Sequence, residues 1–204
     1  MKKAIKIIFY ALLFIIVFMG LSIYLYNKSV QSTLFKYEST VNAEWSVFFN
    51  SSAKRVDLIR DNFSIQSGNP ELLVELNETL TDNLAKRVRY KNECSLDFVQ
   101  LEYELDKKVV FILDSANVNL KNRERWRKMI YSSNNQLNKL IEDYNNSVLN
   151  LNEYISMFPN FIIAKNNGYK RKKYFSIKYG VCNEDPIAKS KKLPEWAIGV
   201  DTIK

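Results

Sequence analysis

Few residues of this 204-residue chain could do chemistry, and histidine is absent. Histidine is the usual general base at neutral pH and the commonest metal ligand, so Ser-His and Cys-His dyads are excluded. Two cysteines, Cys94 and Cys182, cannot form a zinc site unaided. They could form a disulfide in an oxidising compartment, which the sequence does not decide. We therefore predict no catalytic residues, no metal site and no cofactor, and a protein that is not an enzyme.

Acidic residues at close spacing come nearest to a carboxylate site. The two pairs are Glu75 with Glu78, and Glu102 with Glu104. Carboxylate metal centres in helical bundles use Glu-x-x-His motifs, and no histidine is present to complete one. We predict that these carboxylates are solvated.

Residues 158–175 combine aromatic and basic side chains. Anionic lipid attracts such a segment by about 1 kcal/mol per basic group near the membrane surface. The predicted lipid-contact residues are Lys165, Lys170, Arg171, Lys172, Lys173, Tyr174 and Phe175. The alternative is that Phe158, Ile162 and Phe175 close the end of a core while the lysines are solvated. The two interpretations are compatible if the aromatic residues do one job and the lysines the other.

An apolar run at residues 7–26 must position the rest of the chain. Its 20 uncharged residues suffice, at about 1.5 Å per residue, to cross a hydrocarbon layer about 30 Å thick. The run ends without the small residues of a signal-peptide cleavage site, which favours an uncleaved single-pass anchor over residues 1–28. Because Lys2, Lys3 and Lys6 precede the run, the positive-inside rule places the N-terminus in the cytoplasm and the domain outside.

The formal net charge of +8 is concentrated at the two ends of the chain. Residues 1–28 carry four lysines and no acid, and residues 164–204 carry ten basic and four acidic residues. The region between them is close to neutral. This distribution argues against a nucleic-acid-binding face and favours contact with anionic lipid.

Apolar residues recur at steps of three or four between residues 29 and 158, which predicts four helices. Gly68, Asn69 and Pro70 separate the first two, and Pro159 ends the last. The predicted bounds are about 29–66, 70–91, 95–116 and 122–158. The predicted fold is all-α: a transmembrane helix continuous with a long antiparallel four-helix bundle, then a short irregular basic tail over residues 159–204. Such a bundle returns its fourth helix to the membrane, next to residues 158–175.

Three stretches together resemble the LemA family. Trp45 is followed after eight residues by KRVDLI at 54–59, and YNNSVLNLN at 144–152 resembles the family's Tyr-Asn-x-x-Val-x-x-Tyr-Asn. Residues 158–175 match the family's ending, with its Phe-Pro, Ile-Ala and Tyr-Phe pairs. Arg60 and Leu151 depart from the pattern, and residues 70–125 match poorly. The resemblance covers roughly residues 30–186; it implies a membrane-anchored helical bundle and no particular reaction.

Four polar residues in these stretches are candidates for one structural network. Arg55 and Asp57 lie beside the apolar stripe of the first helix, whereas Asn145 and Asn152 are seven residues apart on one face of the fourth. Groups of this kind between long helices can form a buried polar network that sets their register. A ligand site between the helices is the less favoured alternative.

We weigh two classes of function. The favoured one is a non-enzymatic, membrane-anchored scaffold or interaction module whose partners are membrane lipid and an unidentified protein, without nucleic acid. The alternative is a receptor-like sensor whose bundle binds a ligand. Since only about six residues precede the apolar run, the sensor would signal through a partner protein.

Overall fold

The computed structural model of the chain describes residues 2–63, 70–114 and 123–192. This part contains α1 (Lys2–Phe63), α2 (Pro70–Arg87), α3 (Leu96–Asp114), α4 (Arg123–Ser156), α5 (Asn160–Asn166) and α6 (Pro186–Lys192). A 3-10 turn at Val88–Tyr90 follows α2. None of these described ranges contains a strand, and the all-α prediction is confirmed.

Helix α1 runs unbroken through the apolar run and into the bundle. Its 62 residues correspond to about 93 Å of helix. An 18-residue window within Lys6–Asn62 has a mean hydropathy of 2.6 and no buried residue, so the helix is long and apolar enough to span a membrane. The predicted continuity of anchor and first bundle helix is confirmed as far as Phe63.

Helix α4 packs along the part of α1 that follows the apolar run, whereas α2 and α3 accompany them only over the distal half. Trp45 shows where the shorter pair ends, because its Nε1 donates to the backbone carbonyls of Tyr90 and Lys91 at 3.1 Å. Trp45 lies 19 residues after Tyr26, or about 28 Å along α1. Below that level, α5 and residues 167–174 take the place of the two missing helices.

The buried apolar side chains form two clusters. The proximal core includes Trp45, Phe48, Phe98, Tyr144 and Phe175. The distal core comprises Val56, Ile59, Leu76, Leu80, Leu105, Val109, Ile112, Trp126 and Ile130. Trp45 and Phe48 are 2% and 0% exposed, which confirms their predicted core positions.

Several helix ends differ from the predicted bounds. Helix α2 ends at Arg87 instead of 91, and α4 ends at Ser156, so that Pro159 precedes α5. The tail predicted to be irregular contains α5 and α6, with residues 167–185 between them outside any helix. Gly68, Asn69 and residues 193–204 lie outside the described ranges.

Candidate functional site beside the apolar run and in the bundle interior

The backbone of residues 170–180 is held by asparagine side chains of α4. Asn152 donates from Nδ2 to the carbonyl of Lys172 at 2.9 Å and accepts the N–H of the same residue at 2.8 Å. Asn145 makes the same two bonds with Phe175, both at 2.9 Å. Each amide thus satisfies one residue of an extended segment that has no neighbouring strand.

A third asparagine, Asn138, completes this asparagine ladder by bonding both backbone groups of Tyr179 at 3.1 and 2.8 Å. The three asparagines are seven residues apart, so each step along α4 covers about 10.5 Å. Three extended residues cover about 10 Å, which matches the step from Lys172 to Phe175. Asn138 was not predicted, although its position seven residues before Asn145 was a readable signal.

A buried polar layer separates the two cores, and Arg55 lies at its centre. The Arg55 guanidinium forms an ion pair with Asp106, and its Nε donates to Asn134 Oδ1 at 2.9 Å. The guanidinium carbon lies 4.6 Å from the centre of the Tyr179 ring. Asp106 also accepts the backbone N–H of Gly180 at 2.9 Å. The end of the extended segment is therefore bound inside the bundle.

Arg87 and Glu102 form the second half of the layer. Their closest nitrogen and oxygen are 3.6 Å apart, and both side chains are almost fully buried. Arg87 Nη2 donates to Ser52 Oγ at 2.6 Å, and the Tyr179 hydroxyl donates to Glu102 at 2.7 Å. Tyr179 contacts both ion pairs and joins four helices through one residue of the C-terminal segment.

Burial dominates the electrostatics of this layer. It raises the pKa of Asp106, and the Arg55 guanidinium and the Gly180 N–H only partly oppose this effect. Burial also raises the pKa of Tyr179 well above its usual value, with the Glu102 carboxylate adding to the shift. The Tyr179 hydroxyl is accordingly a hydrogen-bond donor at neutral pH.

Gly180 occupies a position where a side chain would be strained and would displace the Asn134 amide. Its φ is +77°, in the left-handed region. A Cβ there would lie 2.5 Å from Asn134 Nδ2, which belongs to the amide that binds Arg55. Glycine therefore lets the segment turn directly against the buried polar layer.

The predicted grouping of Arg55, Asp57, Asn145 and Asn152 into one network is wrong. Asp57 is half-exposed and pairs with Arg60 at 2.9 Å, since it lies on the side of α1 turned away from Arg55. The two asparagines bind the C-terminal segment instead. The solvation predicted for Glu102 is also wrong, because its side chain is fully buried.

The other acidic residues of the two pairs remain at or near the surface. Glu78 is exposed, Glu104 is half-buried and accepts a hydrogen bond from Gln100 at 2.8 Å, and Glu75 pairs with Lys108 at 2.7 Å. The described residues contain no group of three or more His, Cys, Asp or Glu side chains that could hold a metal ion.

Helix α5 is fastened to α1 where the apolar run ends. The Tyr26 hydroxyl donates to Asn160 Oδ1 at 2.8 Å, and Gln31 Nε2 donates to Asn167 Oδ1 at 3.1 Å. Tyr26 and Gln31 are five residues apart, so α5 lies within about 8 Å of the end of the run. If the run crosses a bilayer, this position corresponds to the headgroup layer, which extends about 5–7 Å beyond the hydrocarbon.

Three of the predicted lipid-contact residues are engaged within the fold. Lys172 pairs with Glu38 at 3.2 Å, and Arg171 donates to Ser156 Oγ at 2.7 Å. Phe175 is 2% exposed and its ring centre lies 4.7 Å from that of Phe48. The lipid-contact prediction is therefore wrong for Phe175, because the asparagine ladder turns it into the proximal core. The remaining residues of the set are exposed: Lys165, Lys170, Lys173 and Tyr174.

Cys94 and Cys182 are both free thiols, so the suggested disulfide is not present. Cys94 is buried beside Tyr174, whose carbonyl lies 3.8 Å from its Sγ. Cys182 is exposed and lies two residues after Gly180, beyond the Tyr179 backbone that Asn138 binds. The extended chain between Tyr174 and Cys182 keeps the sulfurs too far apart to bond. Burial raises the pKa of Cys94 to about 12.

The model of the LemA family matches residues 44–187. This match covers more than half of the chain. The chain belongs to the LemA family. The matched region includes Arg55, the asparagine ladder, α5 and the extended segment. These features therefore lie within the part of the chain that the family model covers. Neither the curated proteins nor the solved structures returned a match.

Proposed function

We propose that this LemA-family protein is a non-enzymatic, membrane-anchored scaffold or interaction module whose basic C-terminal segment contacts anionic lipid. The observation that carries the proposal is the attachment of α5 to α1 at Tyr26 and Gln31. This attachment returns residues 158–167 to the level where the apolar run ends. The bundle stands distal to that level and offers its helical faces to a protein partner.

The distance of each basic residue from the end of the apolar run determines how strongly we expect it to attract anionic lipid. Lys165 belongs to α5 and lies nearest the membrane surface. Lys172 pairs with Glu38, which is 12 residues, or about 18 Å, beyond Tyr26. The surface potential decays within a Debye length of about 8 Å at physiological salt. We therefore expect Lys165 to contribute most, Lys170 less, and Lys172 mainly to the contact with α1.

A photoactivatable phosphatidylglycerol tests the lipid contact. The full chain is placed in nanodiscs containing the probe, and cross-linked peptides are identified by mass spectrometry. Residues 158–170 are expected to cross-link, and Lys165→Gln with Lys170→Gln should lower the yield several-fold. Lys54→Gln with Lys139→Gln, both at exposed sites on α1 and α4, is the matched control. Equal yields from the two double variants would contradict the lipid contact.

A second candidate function, the receptor-like sensor, is favoured by one cavity at the distal end. It has a volume of about 330 Å³ and is lined by apolar Val110, Leu113 and Ile130 and by polar Arg127 and Asn134. This volume is within the range of small-molecule sites. Affinity capture of the full chain from membranes discriminates the two. A reproducible protein partner without a bound small molecule supports the scaffold, whereas a co-purified small molecule supports the sensor.

A further inference from the structure

Large apolar side chains are exposed together at the corner between α4 and α5. Met157, Phe158, Phe161 and Ile162 are 54%, 81%, 44% and 43% exposed. No other six-residue stretch of the described chain after Tyr26 has more than one exposed large apolar residue. Phe158 has the largest exposed fraction of all described apolar residues, including those of the apolar run.

The buried and the exposed apolar side chains lie on different faces of α5. Asn160, Ile163 and Ala164 are buried against the bundle. Phe158, Phe161, Ile162 and Lys165 recur at helical spacing on the outer side, so the apolar face ends in a cation. A helix face of this kind suits the membrane interface, where charged headgroups border the apolar acyl chains.

This face lies next to the end of the apolar run, which indicates that it contacts the membrane. Asn160 is two residues from Phe158 and bonds to Tyr26, the last residue of the run. The aromatic rings of Phe158 and Phe161, with centres 6.2 Å apart, therefore lie beside the same membrane surface. Exposing these apolar side chains to water is unfavourable. The acyl chains of the membrane would begin at the same level and could contact them instead.

We propose that Met157, Phe158, Phe161 and Ile162 form an apolar wedge that inserts into the outer edge of the hydrocarbon layer. This inference rests on the membrane anchoring in the proposed function, but not on its preference for anionic lipid. The wedge gives the protein a second membrane contact beside α1. Because two contacts fix a direction, the wedge also limits the tilt of the bundle relative to the membrane.

Spin-label depth measurement on the full chain in neutral phosphatidylcholine nanodiscs tests the wedge. Cys182→Ser removes the exposed thiol, and native Cys94 stays unlabelled because it is buried with a pKa of about 12. Labels are attached to Phe158→Cys and, in a separate chain, Phe161→Cys. Phe18→Cys provides the membrane reference, and Phe35→Cys and Phe111→Cys provide equally exposed references outside the run.

Spin labels at positions 158 and 161 are expected to collide several-fold more often with oxygen than with a water-soluble nickel chelate. The membrane reference at position 18 should show the same preference. Labels at 35 and 111 should show the reverse preference. If 158 and 161 both follow 35 and 111, the wedge is overturned. Protection from both reagents would indicate a covering protein and would also overturn it. Circular dichroism verifies each variant, and either wedge position suffices if the other does not fold.

This experiment separates the wedge from the lipid preference. It uses neutral lipid, so a deep label at 158 can coexist with failure of the phosphatidylglycerol cross-link. A shallow label at 158 with strong, lysine-dependent cross-linking would retain the anionic contact and remove only the wedge.

Discussion

Arg55 and Asp106 show how a charged pair can set the register of long helices. Each comes from a different helix, and Asn134 and Gly180 bring in α4 and the C-terminal segment. Sliding any of these elements by one turn would bury an unpaired charge. A buried pair of this kind can favour one register while adding little net stability, and we expect this of Arg55 and Asp106.

Arg55→Met should destabilise the fold by about 3–5 kcal/mol, because it leaves the Asp106 carboxylate buried without its partner. Replacing both residues, as Arg55→Met with Asp106→Leu, should cost less than the single change. Denaturant unfolding of the full chain in detergent, followed by tryptophan fluorescence, measures both.

Lys86→Met is the control for this comparison. Lys86 pairs with Asp82 at 2.8 Å on the surface, where such pairs contribute less than about 1 kcal/mol. An Arg55→Met effect no larger than that of Lys86→Met would contradict the importance of the buried pair.

At the scale of elements, the asparagine ladder replaces a sheet. Residues 170–178 belong to no helix and have no strand beside them, and α4 supplies the missing donors and acceptors through side chains. This arrangement lets one segment connect α5, beside the apolar run, to the buried polar layer.

Asn145→Ala should free both backbone groups of Phe175 and lower stability by about 1–3 kcal/mol, since each hydrogen bond contributes about 0.5–1.5 kcal/mol. Hydrogen exchange of the full chain should show the largest loss of protection at Phe175 and smaller losses at Lys172 and Tyr179. Asn146→Ala, at the neighbouring exposed position, should leave all three amides protected. Equal exchange in the two variants would rule out the ladder as the source of protection.

At the scale of the whole molecule, α1 is both the apolar element and the axis of the bundle. The domain has a proximal half, in which α1 packs with α4, α5 and the extended segment, and a distal half with four helices. The basic segment and the exposed apolar corner both belong to the proximal end. The distal end carries a cavity of about 330 Å³ with polar and apolar lining, near Asn134 and Gly180.

The lysines before the apolar run predict that the domain lies outside the cytoplasm. Cys182 reports on this orientation, because it is exposed whereas Cys94 is buried. A membrane-impermeant maleimide should label the full chain in right-side-out vesicles and not in sealed inside-out vesicles. Cys182→Ser should abolish the labelling. Labelling confined to inside-out vesicles would establish the opposite orientation.

The local pattern of the sequence was sufficient to predict the helices, including one that is long and apolar enough to span a membrane. Apolar residues at steps of three or four place Trp45 and Phe48 in the core, because helical periodicity depends only on neighbours within two turns. The uncharged run at 7–26 identifies a candidate span for the same reason. The motif at 144–152 indicated that Asn145 and Asn152 share a face, but not what they bind.

Only the tertiary structure decided which polar groups meet. Asp57 and Glu102 look alike in sequence, yet one is half-exposed and the other buried, since their surroundings come from helices distant along the chain. The same holds for Phe175, which the ladder turns inward, and for Phe158, which the corner leaves outside. Pairing between distant segments depends on how long helices align and how the C-terminal segment returns along them. Sequence periodicity fixes the faces of each helix, but their mutual alignment is set by contacts between different elements, such as Arg55 with Asp106 and Asn145 with Phe175, which are 51 and 30 residues apart.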